Sequence, residues 1–136
     1  MEYTIQQIIS NPTFPWKWST LSASEYITFH DIHSHLYLPW NWNIISRANP
    51  NITINNIITF PNLPWDWYHL ILNPALSISD IVQHPELPWK NHFVQINNRS
   101  DISIQDIVSN PEIPWFSKTY LHVINQPPTD DYSYEP

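Results

Sequence analysis

The chain contains no cysteine and no glycine, and only 12% of its 136 residues are charged. Without cysteine there are no disulfides, no thiolate nucleophile and no cysteine-based zinc site. Without glycine, chain reversals fall to the fourteen prolines and to Asn and Ser. Basic residues number five against twelve acidic ones, a net charge of -7. No run of Lys or Arg is present to follow a phosphate backbone, so nucleic acid is not an expected partner. No apolar stretch approaches the roughly 18 residues that a membrane span needs. Glu2 stands where a secretory signal carries positive charge, so a soluble chain is expected. What remains is an apolar fraction of 42%, eight tryptophans included, enough for the core of one domain.

The tryptophans are periodic. A Pro-Trp pair recurs at Trp16, Trp40, Trp65, Trp89 and Trp115, at gaps of 24, 25, 24 and 26 residues. A period of this size marks a solenoid or array. Twelve residues before each tryptophan stands a hydroxyl residue: Thr4, Thr28, Thr53, Ser77 or Ser103. Four residues after that hydroxyl comes Ile8, Ile32, Ile57, Ile81 or Ile107. Five aligned copies define the organisation.

Each copy has a chemical reading. The Thr or Ser is a helix N-cap. Three residues on, Gln7, Asp31, Asn56, Asp80 or Asp106 holds the partner position of a capping box. The residue before the cap, Tyr3, Ile27, Ile52, Leu76 or Ile102, is placed to pack on the isoleucine four beyond it as a hydrophobic staple. The first helix is then about seven residues long and ends before Pro12, Pro61, Pro85 or Pro111, because a pre-proline residue avoids the helical region. The second proline, at 15, 39, 64, 88 and 114, is expected to open a second short helix. On it Trp18/Leu21, Trp42/Ile45 and Trp67/Leu70 are i, i+3 pairs, with the first Trp about 200° round. Such a helix is apolar on two sides and expected between neighbours. The fold class expected is all-α: an α-solenoid of about five two-helix repeats, near 3–26, 27–51, 52–75, 76–101 and 102–124, with an acidic Pro/Tyr tail over 125–136.

The blocks NPNIT (49–53), LPWDW (63–67), LPWNW (38–42) and NPEIPW (110–115) resemble the NPNIT…PWDW repeats of proteins from large DNA viruses of amoebae, such as mimiviruses and marseilleviruses. The likeness covers about residues 3–124. Copies four and five depart from it with Asn91 and Ser117 at the second Trp, and copy two has Leu36 for its first proline. The resemblance implies a viral origin and names no catalytic residue.

HDIHSH (30–35) is the one metal-like run, with His30, His33 and His35 as weak candidate ligands. Against the other copies, His30 fills a variable polar position and His35 matches His84, while His33 alone is unusual, replacing Ile9, Ile58, Val82 or Val108. Asp31 is already engaged as a capping partner. No metal, no cofactor and no catalytic residue is therefore expected. The tryptophans suit a core better than a stacking platform, with Trp18, Trp42 and Trp67 the group best placed for partial exposure. Two sequons, at Asn51 and Asn98, are discounted for want of a secretory signal.

Solenoid repeats bury their faces on each other, and terminal repeats need a polar outer side. Here Tyr3, Ile5, Ile8 and Ile9 begin the first copy with almost nothing before them, and Trp115, Phe116, Tyr120 and Leu121 end the last. At least one bare apolar end is expected, with a partner interface at Tyr3 and Ile5, or at Asp130, Asp131, Tyr132 and Tyr134 of the tail. The leading expectation is a non-enzymatic structural component of a giant virus particle, a minor capsid or cement-type protein bound to other virion subunits. The rival is a soluble repeat adaptor binding host proteins in the cytoplasm of the infected cell.

Overall fold

The computed structural model describes residues 2–125. The chain is all-α over that span, with no strand among the described residues. Its elements are α1 (Ile5–Ser10), α2 (Trp18–Ser22), α3 (Phe29–Ser34), α4 (Trp42–Ala48), α5 (Ile54–Thr59), α6 (Trp67–Leu70), α7 (Ile78–Val82), a 3-10 helix (Lys90–Asn98), α8 (Ile104–Ser109) and α9 (Ser117–Ile124). None of the described helices is long and apolar enough to cross a membrane.

The first helix of each copy starts where its cap dictates. Reciprocal capping boxes close at Thr4/Gln7, Thr28/Asp31, Thr53/Asn56 and Ser103/Asp106. At Thr53 the Asn56 side chain takes the cap's N–H at 2.9 Å and the hydroxyl takes the Asn56 N–H at 3.2 Å. At Ser77 only the hydroxyl half of the box forms. The staple pairs are buried together: Ile27 with Ile32, Ile52 with Ile57, Leu76 with Ile81, and Ile102 with Ile107. These helices run five or six residues rather than seven, each stopping beside the following turn.

The second helix corrects the expectation. It does not open at the proline: α2, α4, α6 and α9 begin three residues beyond Pro15, Pro39, Pro64 and Pro114. The proline is instead the middle of a three-residue turn. The backbone N–H of Trp16, Trp40, Trp65, Trp89 and Trp115 reaches back two residues to a carbonyl at 2.7–2.8 Å. The fixed φ of proline suits that turn, and its missing N–H loses no bond there. The first Trp of each pair is thus not on the helix at all, and the two-sided apolar helix of the wheel reading does not exist.

The residue between the paired tryptophans becomes the cap. Asn41 Oδ1 accepts from the Ile44 N–H at 3.0 Å, and Asp66 Oδ1 from the His69 N–H at 3.2 Å. Lys90 stands in the same place, has no acceptor to offer, and lies inside a nine-residue 3-10 helix that begins directly after Trp89. Helix α4 packs between α2 and α6, and α6 also meets the 3-10 helix. The core runs through these contacts as one cluster, from Ile8 to Val123.

Candidate functional site

The tryptophan after the second proline does the same job in all five copies. Its indole N–H donates to the backbone carbonyl five residues earlier: Trp16 to Asn11, Trp40 to His35, Trp65 to Phe60, Trp89 to His84 and Trp115 to Asn110, all at 2.8–2.9 Å. A carbonyl at the end of a helix has no intrahelical donor, and a buried indole N–H needs an acceptor. One bond satisfies both. It also clamps the turn that reverses the chain.

The second tryptophan joins one copy to the next. Trp18 meets Trp40 edge-on with ring centroids 5.2 Å apart at 87°, Trp42 meets Trp65 at 5.3 Å and 87°, and Trp67 meets Trp89 at 5.7 Å and 90°. This is the favoured arrangement for aromatic pairs. Under that cover Trp40, Trp65 and Trp89 retain 7%, 6% and 0% of their exposure. No copy precedes Trp16 among the described residues, and Trp115 follows Asn91; both are only partly buried. Trp18, Trp42 and Trp67 are themselves partly buried against the core, keeping some exposure while they form the joints.

Beside each indole joint lies a polar one that pattern reading missed. Asn49 is buried, its Nδ2 donating to the Ser22 carbonyl at 2.9 Å while its Oδ1 accepts from the Asn51 N–H at 2.8 Å. Asn73 repeats this one copy on, donating to the Ser46 carbonyl at 3.1 Å and accepting from Ala75 at 2.9 Å. The hydroxyls of Ser22 and Ser46 accept from the backbone N–H of Asn41 and Asp66, each at 2.9 Å. Asn97 Oδ1 does this for Phe116 at 2.8 Å. Asn51 reaches back to the carbonyls of Glu25 and Ile27 at 3.0 and 2.8 Å, so the first sequon asparagine is engaged in a joint. The 27-residue spacing of Ser22 to Asn49, repeated at Ser46 to Asn73, was the available signal. No buried side-chain N or O among the described residues lacks a partner.

The charged groups serve local geometry. Buried Arg99 donates to the carbonyls of Ile71 at 3.1 Å and Leu76 at 2.7 Å and grips Asp101 through two bonds of 2.9 and 2.7 Å. The Arg99 hydrogen bonds hold the Asp101 carboxyl below its usual value against the opposing push of burial. For Asp66, burial pushes upward but bonds from His69 and Asn43 outweigh it, so its carboxyl is also lowered.

The three candidate histidines are not brought together. His30 lies near the Ser34 hydroxyl at 3.4 Å, and His35 Nδ1 pairs with the Asp31 carbonyl at 2.8 Å. The odd one, His33, sits between Phe29 at 5.8 Å and Phe60 at 4.1 Å, measured between ring centroids, as one ring of an aromatic cluster. No group of three His, Cys, Asp or Glu capable of holding a metal ion occurs among the described residues.

Of the interface residues named from the sequence, Asp130, Asp131, Tyr132 and Tyr134 lie outside the described residues. Tyr3 and Ile5 pack partly against the core, and Ile8 is buried. At the C-terminal end of the described residues several apolar side chains are exposed. Ile104 is 51% exposed where its counterparts Phe29 and Ile78 in earlier copies are 8% and 3%. Val108, Phe116, Tyr120, Leu121 and Ile124 are exposed with it. Phe29 is covered by Phe60 and Trp65 of the following copy, at 5.8 and 6.0 Å, and no following copy lies over Ile104 among the described residues.

Comparison with family models, with curated proteins and with solved structures finds no match to this chain.

Proposed function

We propose that the chain is a structural, non-enzymatic component of a giant virus particle, a minor capsid or cement-type protein, built as an α-solenoid of five two-helix repeats. The observation that carries the architecture is the recurring joint: Trp to Trp, Ser to backbone and Asn to carbonyl, the same contacts one copy apart. The sequential packing of α2, α4 and α6 supports it. Asn49 of the NPNIT block and Trp40, Trp42, Trp65 and Trp67 of the PWNW and PWDW blocks are spent on these joints, which Ser22 and Ser46 outside the blocks complete, so the viral resemblance falls partly on the assembly chemistry of the chain. The exposed apolar end around Ile104, Tyr120 and Leu121 supports a life in contact with other proteins, since such patches mark interaction sites. Solenoids offer extended surfaces for that purpose.

Quantitative mass spectrometry of purified particles tests the assignment. Recovery of the chain at a fixed ratio to the major capsid protein is the expected result. Absence from particles, with the chain found soluble in infected-cell cytoplasm bound to host proteins, gives the adaptor reading instead.

A further inference from the structure

The first copy leaves a joint half made. At the inner joints Trp18 covers Trp40 while the Ser22 hydroxyl accepts from the Asn41 N–H, and Trp42 covers Trp65 while the Ser46 hydroxyl accepts from the Asp66 N–H. Lys17 occupies the matching position in the first copy, between Trp16 and Trp18. Its backbone N–H has no acceptor among the described residues. Trp16 is only partly buried, and beside it opens a cleft of about 320 Å³ lined by Tyr3, Phe14, Trp16, Lys17, Thr20 and Leu21. Tyr3 gives Trp16 one edge contact, at 5.0 Å and 76°, and leaves the Lys17 N–H without a partner.

We propose that this cleft docks a segment of another protein chain that carries Trp-x-x-x-Ser at the start of a short helix, the pattern of Trp18–Ser22 and Trp42–Ser46. The indole would cover Trp16 and the serine hydroxyl would take the Lys17 N–H, continuing the chain's own internal interface outward. The occupant is not the last copy of a second identical chain. That copy has Ser117 where the Trp belongs and Leu121 where the Ser belongs, and Trp18, Trp42 and Trp67 are used within the chain. The partner we name is a different protein bearing the same kind of repeat. This rests on reading the chain as a protein-binding repeat array, and it stands or falls separately from carriage in a virus particle.

The test is an NMR titration of the ¹⁵N-labelled full chain with a synthetic peptide of residues 38–49 (LPWNWNIISRAN), used both linear and, with Asn43→Glu and Arg47→Lys, lactam-bridged between those two side chains to hold it helical. Saturable shifts of the Lys17 amide and the Trp16 indole N–H are expected. Trp42→Ala in the peptide should weaken binding by roughly tenfold or more, as loss of an aromatic anchor does. Ser46→Ala should abolish the Lys17 shift with a smaller loss of affinity. In the protein, Thr20→Arg places a charge on the cleft wall at an exposed position and should block binding with the thermal midpoint unchanged. If the bridged peptide moves neither signal at millimolar concentration, or binds equally without Trp42, the docking site is overturned, whatever particle proteomics returns.

Discussion

The indole of Trp42 meets that of Trp65 edge-on, 5.3 Å between centroids, although the two belong to successive copies of the repeat. Trp65 is also bonded to the Phe60 carbonyl and buried. Trp65→Ala removes a core side chain and a clamp together, and should cost about 3–5 kcal/mol. Trp42→Ala should cost less because Trp42 keeps some exposure. A double-mutant cycle by urea denaturation should give a coupling of about 0.5–1.5 kcal/mol between them. Additive losses would mean that the ring pair does not join the copies.

Thr53→Ala removes the hydroxyl that accepts from the Asn56 N–H, and should cost about 1 kcal/mol. Asn55→Ala, one residue before Asn56 and exposed on the same helix, should change stability by only a few tenths of that. Thermal denaturation of the two variants side by side makes the comparison. Equal losses would show that the cap position does not set where α5 begins.

The caps were readable because a capping box is local chemistry: a hydroxyl, a gap of two and an acceptor specify it before any packing occurs. The staple isoleucines were readable for the same reason. The second half of each copy was not. A helical wheel drawn from Pro39 puts Trp40 and Trp42 on one helix, but the turn closed by the Trp40 N–H breaks the wheel's register before Asn41. Asn49, a polar residue directly before Pro50, reads locally as turn material. Its burial depends on a carbonyl 27 residues away, at Ser22, which no local pattern contains. His33 shows the same limit: its partner Phe60 lies in the next copy, so the ring reads as a ligand until the stack is seen.

Asn49 therefore carries a prediction of its own. Asn49→Ala leaves the buried Ser22 carbonyl and the Asn51 N–H without their side-chain partners, which should cost about 1–3 kcal/mol. Asn49→Asp keeps the acceptor and loses the donor, and brings a charge to a buried site, so it should be worse than alanine at neutral pH. Hydrogen exchange at the Asn51 amide should rise in the alanine variant. An unchanged denaturation midpoint in both would show that the asparagine joints add nothing to the contacts of the tryptophans.

Arg99 makes two bonds to backbone carbonyls that do not depend on pH and a pair of bonds to Asp101 that does. Arg99 holds the carbonyl of Ile71 from the preceding copy and that of Leu76 from its own, so Arg99→Met should cost about 1–3 kcal/mol for the stranded acceptors at any pH, with the lost bond to Asp101 adding to that only at neutral pH. Asp101 behaves differently. Its folded-state value lies below the ordinary 3.8 because the Arg99 guanidinium bonds the charged carboxylate. A group whose value is lowered on folding binds fewer protons folded than unfolded in the window between the two values. Its stabilising contribution is present in full above 3.8 and drains away as the pH falls through the lowered value. Asp101→Asn should thus be less stable than wild type at neutral pH, with the gap closing as the solution is acidified below the ordinary value. The carboxyl is 45% exposed, so salt should shrink the gap as well. Denaturation midpoints for wild type and Asp101→Asn, measured from neutral pH down to about pH 2, check this. A gap that widens on acidification would reverse the sign and remove Asp101 from the joint around Arg99.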